Sequence, residues 1–270
     1  MKISKSLAII GCGNIGSAIA KGLLDSKIIK PSNITLTKRK IKPLEKFKEY
    51  GVKITSDNVE AVRSSAIVII AVTPQKADAA LEEISGALDE KRQMLLSVVT
   101  GVEIKHIKKI VGEKIPVVRL MPNTAISIKE SMTCISADKK DSEALETAVK
   151  IFNTVGKTAV ISEDLIEPAT ALVACGVAFF LRAIRAAGQG GTEIGFHAED
   201  AIMMAAQTAK GAASLLVDGQ MHPEREIDKV TTPQGLTISG LNQMEHNGFS
   251  SAMIKGIVTA AEKAASIHKK

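Results

Sequence analysis

Thr231-Thr232-Pro233-Gln234-Gly235-Leu236-Thr237 sets three hydroxyls, a proline and a glycine ahead of an apolar periodic segment, Ile238, Leu241 and Met244. Such a cluster reads as a helix start. A helix start offers unpaired N–H groups and a positive dipole end, both of which attract anions. Thr231, Thr232, Gly235, Leu236 and Thr237 are therefore candidates to hold a small carboxylate. Thr237, nearest the helix, is the candidate donor to the atom beside that carboxylate. An ordinary capped helix with no ligand is the other reading.

The opposite end of the chain carries Gly11-Cys12-Gly13-Asn14-Ile15-Gly16, between the apolar run Leu7-Ala8-Ile9-Ile10 and a helical period at Ile19, Leu23 and Leu24. A G-x-G-x-x-G turn in that strand-to-helix context is the signature of a dinucleotide site. Gly11 would make the tight turn, Gly13 would admit a pyrophosphate against the backbone, and Gly16 would let the helix pack on the strand. Asn14 and Ile15 open the helix. The next strand ends Thr37-Lys38-Arg39-Lys40, without the acid that NAD sites place on the ribose. Thr37, Lys38 and Arg39 suit a 2′-phosphate, which favours NADP(H), with NAD(H) as the alternative. A solvated basic turn is the plainer reading of the same residues.

The elements that must position these groups alternate. Apolar runs predict strands at 7–10, 34–37, 52–55, 66–72, 94–99, 117–120, 132–136 and 158–161. Helical periods lie at 44–50, 77–88, 104–111 and 141–155. That alternation means βαβ units and a parallel sheet. Ligands of such sheets lie along the carboxyl ends of the strands. The loops there hold Ala71, Val72, Thr73 and Pro74, then residues 97–101, then Met121, Pro122 and Asn123. From residue 163 on, only helices are predicted, at 165–187, 198–217, 237–244 and 250–267. The first is rich in small residues and can be buried all round. The expected fold class is α/β: a Rossmann-type doubly wound sheet over 1–162, followed by an all-helical dimerisation and substrate domain over 163–270, with part of the active site formed between subunits.

Composition narrows the function. Aromatics are 3% of the 270 residues, too few for base-stacking platforms, and the net charge of +6 is scattered, so no nucleic-acid partner is expected. Three cysteines, none in CxxC spacing, suggest neither a disulfide framework nor zinc; no metal is expected, and a reducing cytoplasm fits. The longest apolar run, 169–181, falls short of the ~20 residues that span a bilayer, so no membrane association is expected.

Taken with Ala71-Val72-Thr73-Pro74-Gln75, Arg119-Leu120-Met121-Pro122-Asn123-Thr124, Glu163-Asp164-Leu165-Ile166, His222-Pro223 and the loop from Thr231 to Ile238, the chain resembles the pyrroline-5-carboxylate reductase family almost end to end. The resemblance implies a homodimer, or a higher oligomer of dimers, that reduces 1-pyrroline-5-carboxylate to L-proline with NAD(P)H. It implies that N–H groups around Gly235, Leu236 and Thr237 bind the substrate carboxylate and that the Thr237 hydroxyl meets the ring nitrogen. It implies further that Glu163 lies near the substrate and Asn58 near the cofactor ribose; by the residues alone, Asn58 could equally be a helix cap and Glu163 a surface or capping acid. The chain departs from the family in Ala174-Cys175-Gly176-Val177-Ala178, where Gly-Ser-Gly-Pro-Ala is usual, and in Thr73, Lys229 and Gln234, the last where Gly is customary. These departures keep two alternatives open: a reductase of a related cyclic imino acid, and a non-catalytic NADP-binding paralogue.

Overall fold

The structure, a computed structural model, describes residues 3–219 and 221–266. Residue 267, the expected end of the last helix, lies outside the described residues. The chain packs as two units. The first ends at Cys175 and resumes at Ala260; the second is Gly176–Thr259. The division falls later than the 162/163 boundary expected from the last strand.

The first unit holds an eight-stranded sheet. Its strands are β1 (Leu7–Ile10), β2 (Ile34–Thr37), β3 (Lys53–Thr55), β4 (Ile67–Ile70), β5 (Met94–Ser97), β6 (Val117–Met121), β7 (Ser131–Ala137) and β8 (Gly156–Val160), in the order β3-β2-β1-β4-β5-β6-β7-β8. Strands β1, β2, β4 and β5 are buried at every residue, β1 and β4 as the continuous apolar runs that a sheet covered on both faces requires. Alternation along β1 feeds two cores. Leu7 and Ile9 pack with Ile19 and Leu23 of α1 (Asn14–Ser26), whereas Ala8 and Ile10 face the layer of α2 (Asn58–Arg63), α3 (Ala77–Ser85) and α4 (Ile104–Val111). Strand order reverses at β1, between β2 and β4, which opens a crevice at their carboxyl ends.

The expected Rossmann-type sheet is borne out, with three differences in detail. The sheet is not wholly parallel: β7 runs antiparallel to β6, because the link between them is a 3-10 turn, Thr124–Ile128, too short for a crossover. The helix expected at 44–50 is a 3-10 helix, Lys42–Tyr50, opened by Pro43 and closed by Gly51 in the left-handed region at φ 82°. Helix α2 was not expected; at six residues it is too short to show a period. Helix α5 (Ser142–Phe152) returns the chain to β8 and buries Ala148, Ile151 and Phe152.

The long helix expected at 165–187 is three segments in sequence: α6 (Ile166–Ala169), a π-helical stretch Thr170–Cys175, and α7 (Gly176–Glu193). The departure from the family pattern at Ala174 and Cys175 falls in the π stretch. Asn123 Nδ2 donates to the Val173 carbonyl oxygen there at 3.3 Å. In the second unit α7 packs against α8 (Ala198–Gly219), followed by α9 (Pro223–Lys229), α10 (Leu236–His246) and α11 (Phe249–Ser266), which runs on into the first unit. Helix α7 is not buried all round. Phe180 is 61% and Leu181 59% exposed, as is Met203 of α8 at 60%. The helical stretch Glu163–Glu193 is long and apolar enough, by length and composition, to cross a membrane, although its longest unbroken apolar run is not.

Candidate active site

The crevice at the carboxyl ends of β1, β2 and β4 contains a cavity of about 690 Å³. Gly11, Gly13, Thr37, Lys38, Arg39, Asn58, Ala71, Val72 and Thr73, named from sequence, line it together. Gly11 sits at φ 82°, where other residues are strained. Gly16 lies so close to the strand that a Cβ would stand 3.2 Å from Ala71 Cβ and 3.3 Å from Ile9 Cγ2. A Cβ on Gly13 would meet nothing nearer than 3.9 Å. Helix α1 has no side-chain cap and no acid in its first turn, so its N–H groups face open space beside that glycine. An unblocked helix start behind a positive-φ glycine fits a pyrophosphate.

The end of β2 is tied to that turn. Thr37 is fully buried; its Oγ1 accepts the Gly11 N–H at 3.2 Å and donates to Asn58 Oδ1 at 2.6 Å. Its proton is thus committed, and Thr37 does not share a 2′-phosphate with its neighbours as a donor. Lys38, Arg39, Lys40 and Lys76 supply the cavity's positive charge and enter no ion pair among the described residues. Asn58 is not the cap of α2: Asp57 is, accepting the Glu60 N–H at 2.8 Å. Burial pushes the Cys12 thiol up to about 12, against opposing pulls from the Thr37 backbone hydrogen bond and the Lys38 charge, so it stays a neutral packing group.

Other candidates turn away from the cavity. Asn14 lines a neighbouring groove with Gly13, Ser17 and Lys38. The Ile15 side chain packs on the core, and Pro74 opens a 3-10 turn at the cavity's edge. Met121, Pro122 and Asn123 are buried. Met121 packs with Cys134, Ile166 and Ala169, and Asn123 Oδ1 accepts the Ala125 N–H at 3.0 Å. Glu163 Oε1 accepts from Ile104 N at 2.7 Å and from Arg119 Nη1 at 2.9 Å, which makes it a cap for α4 and a partner for a buried arginine. Lys76 and Glu83 were missed from sequence. Both line the cavity, with Ala79 and Ala80. The spacing 76, 79, 80, 83 marks the face of α3 away from buried Leu81 and Ile84, and would have found them.

Within the second unit, α10 begins at Leu236 with Gly235 as an uncapped N-cap. The Gly235 N–H donates to the Thr232 carbonyl oxygen at 2.9 Å, and Gln234 adopts a left-handed φ of 56°. Thr231 Oγ1 donates to the Ile227 carbonyl oxygen at 2.8 Å, so its hydroxyl secures the end of α9. The Thr237 hydroxyl makes no hydrogen bond to any described residue, and Leu236 is 95% exposed. The loop thus presents an open helix start with two hydroxyls, those of Thr232 and Thr237, that bond no described residue; Thr237 is the one within α10.

Comparison with known proteins agrees with both halves. Residues 163–267 match the family description "Pyrroline-5-carboxylate reductase dimerisation", and residues 6–101 match "NADP oxidoreductase coenzyme F420-dependent". Pyrroline-5-carboxylate reductase 1 of Dictyostelium discoideum is 54% identical over 97% of this chain, which spans half the length of that relative. Pyrroline-5-carboxylate reductase 2 of the same organism is 48% identical over 97% of the chain and 93% of its own length. Among solved structures, the Plasmodium falciparum pyrroline carboxylate reductase with NADP bound superposes with a TM-score of 0.87 at 26% identity, covering 98% of this chain and 99% of its own.

Proposed function

The chain belongs to the pyrroline-5-carboxylate reductase family, and from that premise we propose that it reduces 1-pyrroline-5-carboxylate to L-proline with NADP(H), accepting NAD(H) as the alternative donor. The observation that carries this reading is the pairing, in one chain, of a basic dinucleotide cavity with a helix start holding a free threonine hydroxyl.

The cofactor would supply a hydride to the imine carbon, and a solvent proton passing through the Thr237 hydroxyl would reach the ring nitrogen; the protein's own residues bind and orient. Gly11, Gly13 and the first N–H groups of α1 hold the pyrophosphate, and Lys38 and Arg39 take the 2′-phosphate. Gly11 and Gly13 after β1, and the small Ala71 after β4, leave room for the nicotinamide at the carboxyl ends of these strands. In the second unit, N–H groups at the start of α10 receive the substrate carboxylate. The Thr237 hydroxyl then donates to the ring nitrogen, which makes the adjacent carbon electrophilic. Buried thiols and the Glu163–Arg119 pair take no proton in this scheme.

The second unit serves self-association. The exposed apolar residues of α7 and α8, on a segment that matches a dimerisation family, support a homodimer, with any higher assembly built from dimers. The apolar stretch Glu163–Glu193 then belongs to a subunit interface and not to a bilayer. Three free cysteines support a cytoplasmic location.

The test is direct. Purified protein is given 1-pyrroline-5-carboxylate with NADPH or NADH, and loss of nucleotide absorbance is followed with proline release. Oxidation without proline would point to a different imine; the substitution at Ala174-Cys175 favours a related ring as that second substrate. Dinucleotide binding without turnover on any imine would leave a paralogue.

A further inference from the structure

Glu83 lies on α3, far in sequence from the glycine turn and from the basic end of β2, yet it lines the same cavity. Its Oε2 accepts from Asn58 Nδ2 at 2.9 Å. Asn58 Oδ1 in turn accepts from Thr37 Oγ1 at 2.6 Å, and Thr37 Oγ1 accepts from Gly11 N at 3.2 Å. A single file of hydrogen bonds therefore runs from Gly11 through Thr37 and Asn58 to Glu83, every donor pointing the same way.

That direction has a physical origin. A side-chain amide fits its site in two orientations, oxygen or nitrogen toward a given neighbour. An ionised carboxylate can only accept, so Glu83 compels Asn58 to offer its nitrogen. Asn58 oxygen then faces Thr37, the Thr37 proton goes to it, and the Thr37 oxygen is left to receive the Gly11 N–H. Without Glu83 the amide loses that preference. The flipped amide would present a second donor to Thr37 Oγ1, which already accepts from Gly11, and would release the hydroxyl proton. Glu83 enters no ion pair among the described residues, so its hydrogen bond to Asn58 is its one polar tie there.

We propose that Glu83 is a positioning residue for the dinucleotide: by fixing the Asn58 amide it sets the Thr37 hydroxyl and the Gly11 turn on which the pyrophosphate rests. The role rests on reading the cavity as the dinucleotide site. It also orients the second Asn58 Nδ2 hydrogen as a fixed donor for a bound ligand. Because the file ends on the turn common to both cofactors, its loss weakens NADPH and NADH alike.

The experiment measures the Kd of the full-length protein for NADPH and for NADH, by titration of nucleotide fluorescence, in wild type, Glu83→Ala and Glu83→Gln. Hydrogen exchange over residues 7–16 is followed in the same three proteins without nucleotide. Glu83→Ala is expected to raise both Kd values about five- to tenfold, the upper range of one ordinary hydrogen bond, because Glu83 acts on the nucleotide only through Asn58 and Thr37. It should also speed exchange at the glycine turn, with Tm within a degree or two of wild type. Glu83→Gln, whose amide can donate as well as accept and so no longer compels the Asn58 orientation, should restore both only in part. Unchanged Kd and exchange in Glu83→Ala would overturn the proposal. So would a change confined to NADPH, which would mark Glu83 as acting by charge on the 2′-phosphate. Failure of the wild type to bind either nucleotide would overturn the reading of the cavity itself.

Discussion

Arg119 Nη1 donates to Glu163 Oε1 at 2.9 Å, and that oxygen also receives the Ile104 N–H. One carboxylate thus joins β6, the start of α4 and the turn that precedes α6. Arg119 is 2% exposed and its Nη2 makes no hydrogen bond, so Glu163 is the group that offsets a guanidinium held away from water.

Glu163→Ala leaves that charge uncompensated, at a cost of about 3 kcal/mol. A fall in Tm of about 6–10 °C is expected by calorimetry, and Glu163→Gln should lose under half as much. If instead Tm holds and only the substrate KM rises, Glu163 contacts substrate and the structural role is wrong.

Lys38→Ala and Arg39→Ala should each lower kcat/KM for NADPH about tenfold, the scale of one charge-assisted hydrogen bond, and leave NADH within twofold. Thr37→Val should harm both cofactors, because its hydroxyl joins the Gly11 turn to Asn58. Equal losses for the two nucleotides in Lys38→Ala would mean that the cation does not read the phosphate.

Thr237→Ala removes the one hydroxyl at the start of α10 that no described residue occupies. Steady-state kinetics should show kcat down about a hundredfold, as for loss of a donor at a reacting atom, with the NADPH Kd unchanged. An unaltered kcat would remove Thr237 from the chemistry.

Gln234 holds φ at 56°, where a side chain is strained by about 1–2 kcal/mol. Gln234→Gly relieves that strain but adds freedom to the unfolded chain, worth about 0.5–1 kcal/mol. The net expectation is a Tm higher by about 2 °C, and Gln234→Val should lower it. A Tm drop in the glycine variant would show that the glutamine side chain makes a compensating contact.

Lys108 is buried, which favours its neutral form, but hydrogen bonds of 2.6 Å each to Asp138 and Asp141 prevail and raise its pKa above 10.5. A raised folded-state pKa gives stability that is complete below the unfolded value and fades as pH climbs through the folded one. The lead of wild type over Lys108→Met in urea midpoint should thus be flat from pH 7 to about 9 and shrink above 10.5. A lead that grows with alkalinity would contradict the pairing.

Local signals carried much of this fold. Leu7-Ala8-Ile9-Ile10 and Ile67-Val68-Ile69-Ile70 announce buried strands because both of their faces are covered. Positive φ at Gly11 and close packing at Gly16 follow from the motif alone. What sequence could not carry was set by partners remote along the chain. The direction of β7 depends on a link too short to cross the sheet. The commitments of Thr37, Asn123 and Glu163 depend on Asn58, Val173 and Arg119, which lie 21 to 50 residues away. The place of Glu83 on the cavity face of α3 was legible in the spacing 76, 79, 80, 83, but its bond to Asn58 was not, because no local pattern says which asparagine a surface glutamate will meet.

The bare apolar flanks of α7 and α8 also bear on how the protein comes into being. In the proposed homodimer, Phe180, Leu181 and Met203 meet water until a second copy covers them. Maturation then includes a bimolecular step, so the half-time to reach the final state shortens as chains become more abundant. At low expression a newly made copy spends longer with sticky helices on show, open to chaperones and proteases before it finds its twin. Yield should therefore rise faster than in proportion to synthesis.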